Sequence, residues 1–130
     1  MDAKLKQSIN RCLADREFAN DFYTYLFSEH PELMSFFKHA DHNNLVKMLS
    51  TALTRINAID KLSDENFEYW MRVSGKHHSL KLTNTHYDKW KTALIKHVAI
   101  KDSEADPDTL LAWDHHIEQY ISYMKLLYTT

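Results

Sequence analysis

Two adjacent histidines, His77 and His78, are the residues of this sequence best suited to hold a metal ion. They lie in the stretch "GKHHSLKLTNTHY", at the end of a segment whose apolar residues have helical spacing. Tyr69 and Trp70 lead to Val73 and then to His77 at intervals of three or four residues, so His77 is predicted on the apolar face and His78 on a mostly polar one. An inward imidazole is either a neutral metal ligand or a hydrogen-bonded core residue, and the spacing leaves both interpretations open.

Zinc is a weaker hypothesis for this histidine-rich chain. The sequence has nine histidines, of which His39 and His42 have the spacing of one helix face. His115 and His116 are adjacent, however, and two neighbouring residues of a helix cannot both face one ion. Cys12 is the only cysteine, and no further spaced pair completes a site of four ligands. Zinc is therefore disfavoured.

The composition is that of one ordinary globular domain. The chain has 130 residues, 44% hydrophobic and 26% charged, and we expect a single domain over residues 1–130. A net charge of −2 gives no reason to expect nucleic acid as a partner. No apolar run approaches the roughly 18 residues that a spanning helix needs, so no membrane partner is expected. A single cysteine, Cys12, rules out an internal disulfide and favours a reducing, cytoplasmic location.

Turn-forming residues indicate an all-α fold. The only glycine is Gly75, whereas β-hairpins depend on glycine for their tight turns. Pro31 and Pro107 each stand where a helix is expected to begin, the second behind a capping Asp106. Helical periodicity predicts six or seven helices, including one over "DREFANDFYTYLFSEH" and one from Ser63 to about Ser79. Periodicity alone does not choose between a globin-like arrangement and other helical folds.

Four motifs, in order along the chain, resemble the globin domains of bacterial flavohaemoglobins and their single-domain relatives. They are the aromatic "DFYTYLF", the turn "PELMSFF", the pair in "GKHH" and the later "HY". In that family a Lys-His pair contains the proximal haem ligand, and a tyrosine follows ten residues later. Tyr87 is ten residues beyond His77, so the family register selects His77 rather than His78. The resemblance implies a globin fold of six to seven helices around a haem pocket, with haem b as the cofactor.

The resemblance also implies roles for other residues of this sequence. His77 would coordinate the haem iron, and Lys76 beside it would either pair with a haem propionate or face solvent. Tyr23 matches the distal tyrosine that donates a hydrogen bond to bound O2, and it is the expected catalytic residue. Phe37 matches the phenylalanine that packs on haem, with Phe36 as the alternative one residue away. The remaining expected cofactor contacts are apolar or aromatic side chains, namely Leu45, Leu49, Val73, Leu82, Tyr87 and Leu94.

Some positions depart from the family pattern. Leu45 stands where family members commonly have glutamine, so the hydrogen bond to a bound gas would rest on Tyr23 alone. His42 is a weaker candidate for a distal histidine, because it lies at the expected start of a helix. In the family Tyr87 would share a hydrogen-bond network with a glutamate of the last helix, but Glu118 falls too early in the sequence to be that residue. Strong electron donation to the iron, as in peroxidase-like chemistry, is therefore not implied.

Together these residues predict a globin that binds O2 reversibly, and NO and CO as well. The resemblance implies that a tyrosine-stabilised O2 complex can convert NO to nitrate. Sustained turnover would then need a separate reductase, because no flavin domain is expected in a chain ending at Thr130. The alternative is a haem-based gas sensor or interaction module that works without turnover. The sequence leaves this choice, and the oligomeric state, open.

Overall fold

The described part of the chain is built from α-helices and a 3-10 helix. The computed structural model describes residues 3–38, 40–57, 72, 76 and 80–129, and no residue within these ranges belongs to a strand. The helices are α1 (Ala3–Ala14), α2 (Phe18–Glu29), the 3-10 helix (Pro31–Phe37), α3 (His42–Asn57), α4 (Asn84–Lys101) and α5 (Pro107–Thr129). Among the described residues, no helix is both long enough and apolar enough to cross a membrane. The all-α class predicted from the sequence is confirmed.

The helix ends follow the local signals of the sequence. Pro31 is the first residue of the 3-10 helix and Pro107 the first residue of α5, as predicted. Asp106 caps α5, because its Oδ1 accepts hydrogen bonds of 2.8 Å from both the backbone N–H and the hydroxyl of Thr109. The helix expected between Ser63 and about Ser79 lies outside the described residues apart from two exposed helical positions, Arg72 and Lys76.

Helix α2 begins later than its sequence pattern predicts. The pattern extends it back to Asp15, but the structure starts it at Phe18. The Asp15 side chain accepts a hydrogen bond of 3.0 Å from the backbone N–H of Glu17, and the Asp15 carbonyl accepts one of 3.2 Å from Phe18. Aspartate that bonds to the backbone two residues on favours a turn over a helix. This turn separates α1 from α2 and fixes where the aromatic face of α2 begins.

The core is apolar and joins all the described helices. Helix α2 packs against α3, α4 and the 3-10 helix, while α1 packs against α3 and α5. The largest fully buried side chains are Leu5, Ile9, Phe18, Phe22, Leu26, Leu49, Leu53, Ile56, Leu94, Trp113, Ile117 and Ile121. These residues recur at the three- and four-residue intervals that place apolar side chains on one face of each helix.

A buried histidine links α2 to α4. His97 is 3% exposed, and its Nε2 lies 3.0 Å from the backbone carbonyl of Phe18. A carbonyl only accepts, so Nε2 carries the proton. The imidazole lies between the rings of Phe18 and Tyr25, at centroid distances of 4.7 and 6.1 Å. Burial lowers the pKa of His97, which keeps the ring neutral and the contact between the two helices uncharged.

A buried carboxylate holds the corner between α4 and α5 against α1. Asp102 accepts hydrogen bonds from Ser8 Oγ at 2.6 Å and from Nε and Nη2 of Arg11 at 2.7 and 2.9 Å. Trp113 of α5 donates in turn to Ser8 Oγ at 2.9 Å. Burial opposes ionisation of Asp102, but the hydrogen bonds from Arg11 and Ser8 outweigh it and hold the pKa of the carboxyl below its ordinary value.

Replacing Asp102 by alanine is expected to lower the free energy of unfolding by about 2–4 kcal/mol at neutral pH. The substitution removes the acceptor shared by Ser8 and Arg11 and leaves the Ser8 hydroxyl, which is fully buried, with one partner fewer. A lowered folded-state pKa stabilises the fold above the unfolded pKa, and this stabilisation is lost as the pH falls through the folded value. The difference in free energy of unfolding between the unmodified protein and Asp102→Ala, measured by urea unfolding, should therefore become smaller below about pH 4.

Asp108→Ala is the matched control for this prediction. The Asp108 side chain is 82% exposed and lies 4.0 Å from Lys4. An exposed pair of this kind contributes little, so the control should change the free energy of unfolding by no more than about 0.5 kcal/mol. Equal losses of unfolding free energy in the two variants would show that the hydrogen bonds of Asp102 do not stabilise the contact of α1 with the α4–α5 connection.

Candidate functional site

Tyr23 lies at the centre of an aromatic group formed by α2 and the 3-10 helix. It is 7% exposed, and its ring centroid is 5.3 Å from that of Phe22 and 6.0 Å from that of Phe27. Phe27 is one helical turn further along α2, so Tyr23 and Phe27 share an inward face. The ring of Phe37, from the 3-10 helix, lies 5.8 Å from Tyr23 and 5.5 Å from Phe27.

The Tyr23 phenol is a neutral hydrogen-bond donor. Burial raises its pKa above the ordinary value for tyrosine, so the hydroxyl keeps its proton at any physiological pH. Its contacts are with aromatic rings, and no hydrogen bond joins it to another described residue. A protonated phenol in apolar surroundings can donate to a small ligand that carries partial negative charge.

The 3-10 helix points its two phenylalanines to different neighbours. Phe37 contacts Tyr23 and Phe27 of α2, as given above. Phe36 instead lies edge-on to His86 at the start of α4, with the ring centroids 4.8 Å apart. The sequence left open which of the two belongs with the predicted site, and the structure brings Phe37 to Tyr23.

Three of the predicted aliphatic contacts belong to the same apolar core as Tyr23. Leu49 of α3 is 1% exposed and Leu94 of α4 is 0% exposed, and Leu45 packs against the same core while remaining half-buried. His42, the weaker distal candidate, is the exposed first residue of α3. Of the predicted distal set, Phe37 is in ring contact with Tyr23. Leu45 and Leu49 belong to the same core, but their position beside the cofactor stays a prediction.

The predicted proximal residues are only partly described. Val73 and His77 lie outside the described residues, and Lys76 is helical and exposed. The backbone N–H of Leu80 donates to the carbonyl of Lys76 at 3.1 Å, and Lys81 then turns with a left-handed φ of 58°. Leu82, which follows this turn, is half-buried, and its predicted contact with the cofactor stays a prediction.

Tyr87 meets a cation from the last helix, where the family resemblance implied a glutamate. Lys125 Nζ of α5 lies 5.1 Å from the centre of the Tyr87 ring, within the range of a cation–π contact. Glu118, which the sequence register had already set aside, pairs instead with Lys91 at 2.7 Å. Burial raises the pKa of the Tyr87 phenol. Tyr87 therefore has a cationic neighbour on the last helix, and its part in a hydrogen-bond network beside the iron stays a prediction.

The described side chains suit the apolar contacts that haem makes, whereas the predicted iron ligand, His77, lies outside the described residues. Phe37, Leu45 and Tyr87 are half-buried aromatic or aliphatic residues that pack against the core, which is the usual lining for a flat apolar cofactor. Tyr23 adds a single neutral donor to this lining. The donor set suits a porphyrin with a small gas ligand, and none of its members conflicts with that group.

The family assignment rests on most of the chain. The profile of the globin family matches residues 20–124, which include Tyr23, His77 and Tyr87. The chain belongs to the globin family. Membership of this family supports haem as the cofactor and gives the fold its name.

This globin is similar to part of several longer proteins. It is 32% identical over 104 residues to flavohemoproteins of Bacillus thuringiensis subsp. konkukian, Bacillus cereus and Bacillus anthracis. Each alignment covers 75% of this chain and 24% of the relative, so the chain spans about a quarter of the length of these flavohemoproteins. The resemblance inferred from the motifs is confirmed.

A solved structure with the same architecture comes from Pseudomonas aeruginosa PAO1. That protein is described as structurally highly homologous to a human haemoglobin. Its likeness to this globin has a TM-score of 0.83 at 25% sequence identity, and it covers 98% of this chain and 97% of the other. The globin fold predicted from the sequence is confirmed.

The sequence reasoning overlooked two residues next to the predicted site. Lys125 had no signal of its own, because only the packing of α5 on α4 brings it to Tyr87. His86 did have a signal, because Thr83 and His86 repeat the spacing of a helix capping box, Ser or Thr followed three residues later by Glu or Gln. The motif was not recognised because its last position is a histidine rather than the usual glutamate or glutamine.

Proposed function

We propose that this globin binds haem b through His77 and reversibly binds O2, with NO and CO as further ligands. Phe37, Leu45 and Leu49 would line the distal side of the cofactor, and Val73, Leu82, Tyr87 and Leu94 the remainder. Lys76 is exposed and helical, which suits a pairing of its ammonium group with a haem propionate at the surface. The haem, when bound, supplies the ferrous iron that takes up diatomic gases.

The observation that carries the proposal is the buried phenol of Tyr23 among aromatic rings. A donor that is 7% exposed and retains its proton is able to hydrogen-bond a gas ligand with partial negative charge. Phe22, Phe27 and Phe37 limit access of water to this donor and hold its ring in place. O2 polarises on binding more than CO does, so the arrangement favours O2.

The enzymatic part of the proposal is the dioxygenation of NO. NO and O2 combine to nitrate with the consumption of one electron, so continued turnover needs a reductase that returns this electron. In the proposal the reductase is a separate cytoplasmic partner. The similar flavohemoproteins are about four times as long as the segment that they share with this globin.

Absorption spectra of the full chain test the haem proposal. After reconstitution with haem and reduction by dithionite, we expect a Soret band that shifts on addition of CO. Tyr25→Phe would serve as a folded control with the same expected spectrum, because Tyr25 contacts His97 rather than the predicted site. A chain that takes up no haem under these conditions would refute the proposal.

Nitrate production separates catalysis from gas binding without turnover. With O2, NO and a reductase present, the reconstituted protein is expected to produce many equivalents of nitrate per haem. A yield that stops at one equivalent of nitrate per haem would exclude an enzymatic function. It would favour a gas carrier or a gas sensor, both of which need binding but no turnover.

A further inference from the structure

The start of α4 is closed by two reciprocal hydrogen bonds between Thr83 and His86. The Thr83 hydroxyl accepts from the backbone N–H of His86 at 3.4 Å, and Nδ1 of His86 accepts from the backbone N–H of Thr83 at 3.0 Å. Thr83 has the extended backbone of an N-cap residue, with φ −101° and ψ 169°. This is a capping box in which histidine replaces the usual glutamate or glutamine.

The same imidazole also contacts the 3-10 helix. Its ring centroid lies 4.8 Å from that of Phe36, at an interplanar angle of 67°. Phe36 directly precedes Phe37, and Thr83 directly follows Leu82, so His86 touches both segments that carry these predicted cofactor contacts. An ion pair of 2.6 Å between Glu32 and Lys89 is a second link between the 3-10 helix and α4.

The capping bond exists only while the imidazole is neutral. A backbone N–H donates, so Nδ1 must offer a lone pair, and the ring proton must lie on Nε2. Protonation of Nδ1 replaces the acceptor by a donor that faces the Thr83 N–H. It also places a positive charge at the positive end of the helix dipole.

Three charged residues are close in sequence to the capping box, namely Lys81 in the preceding turn and Asp88 and Lys89 of α4. Glu32 of the 3-10 helix is linked to this helix start through Lys89. Glu32 is already paired with Lys89 and lies 3.7 Å from Nδ1 of His30. Its negative charge is therefore shared with other basic groups before His86 is protonated.

We propose that His86 is a positioning residue of the haem site, and that its protonation opens the capping box and loosens the Leu82 turn from the 3-10 helix. The expected consequence is faster loss of haem in mild acid. This consequence rests on the proposed function, whereas the opening of the capping box does not. A net bond of this kind is worth a factor of about 2–10 in an equilibrium, so haem release should accelerate about 2–10-fold between pH 7.5 and pH 5.5.

The test uses the full chain as its CO complex, or as purified if it takes up no haem. The backbone amide of Thr83 is followed by nuclear magnetic resonance from pH 7.5 to pH 5.5, and haem release is measured by transfer to an excess of apomyoglobin. In the unmodified protein, the Thr83 amide should shift and lose protection from exchange in acid, and haem release should rise over the same range.

Two variants isolate His86 from the other histidines. His86→Gln keeps a neutral acceptor at the third helical position, so Thr83 should stay protected throughout and the acid-dependent rise in haem release should shrink. His86→Ala has no acceptor, so Thr83 should be unprotected and haem release fast at both ends of the range.

Three results would overturn the proposal. They are a Thr83 amide that does not titrate, a His86→Gln protein with the pH profile of the unmodified protein, and a Thr83 titration that leaves haem release unchanged. The first two concern the capping box, and the third concerns its role for haem. Absence of haem uptake, by contrast, would refute the proposed function and is read from the Soret band before any titration.

Discussion

Replacing His77 by alanine is expected to abolish stable haem retention, so that the purified full chain loses its Soret band. The imidazole is the predicted link between the protein and the iron, and without it the remaining apolar contacts are expected to be too weak to retain the cofactor through purification. Even the outer hydrogen-bond partners of metal ligands are worth about 10–100-fold in affinity, so loss of the ligand should cost more than about 100-fold. Haem content per chain, measured by absorption after reconstitution, gives the result.

His78→Ala is the matched control for this prediction, since it removes the same side chain one residue away. Its spectrum is expected to remain nearly unchanged. A further arm uses His77→Gly, in which added imidazole should restore part of the Soret band by taking the place of the lost ring. Equal losses in the two alanine variants would contradict the register that sets the ligand ten residues before Tyr87.

Replacing Tyr23 by phenylalanine is expected to accelerate O2 release about 10–100-fold. The change removes only the hydroxyl and keeps the ring that packs against Phe22, Phe27 and Phe37. A hydrogen bond to a charged or strongly polarised acceptor is worth about 1.5–3 kcal/mol, and each 1.4 kcal/mol is about tenfold in a rate or equilibrium constant. Stopped-flow displacement of O2 by CO measures the release rate directly.

Tyr25→Phe provides the control on the same helix. Tyr25 is half-buried and stacks on His97 of α4, so its hydroxyl is not expected to meet the gas ligand. The rate of O2 release should therefore remain within about twofold of the unmodified protein, well under the tenfold step that 1.4 kcal/mol represents. The rate of CO release from Tyr23→Phe should stay close to that of the unmodified protein, because CO accepts hydrogen bonds only weakly. An unchanged O2 rate in Tyr23→Phe would remove this residue from the mechanism.

The features that could be predicted from the sequence are local ones. Pro31 and Pro107 begin helices, and Asp106 caps α5, because each acts on backbone groups within a few residues. The contact between Tyr23 and Phe27 could also be predicted, because the two residues repeat the spacing of one helix face and both turn inward.

The features that could not be predicted depend on packing between distant segments. Ser8 and Asp102 are 94 residues apart in the chain, yet their side chains share a hydrogen bond of 2.6 Å. Neither the contact of Lys125 with Tyr87 nor that of His97 with Phe18 follows from helical spacing. Spacing tells which face of a helix is buried, but it does not tell which residue of another helix lies opposite.

The sequence by itself determined the helical class, the helix starts at the prolines and the motif order that indicates the globin family. These depend on turn chemistry, periodicity and motif order, all of which are properties of short segments. Only the tertiary structure decided that Phe37 rather than Phe36 meets Tyr23, and that His86 joins the two segments beside it. The physical reason is that consecutive residues of a 3-10 helix point about 120° apart, so Phe36 and Phe37 cannot contact the same neighbour. The packing of α2 and α4 around the 3-10 helix then determines which phenylalanine contacts which helix.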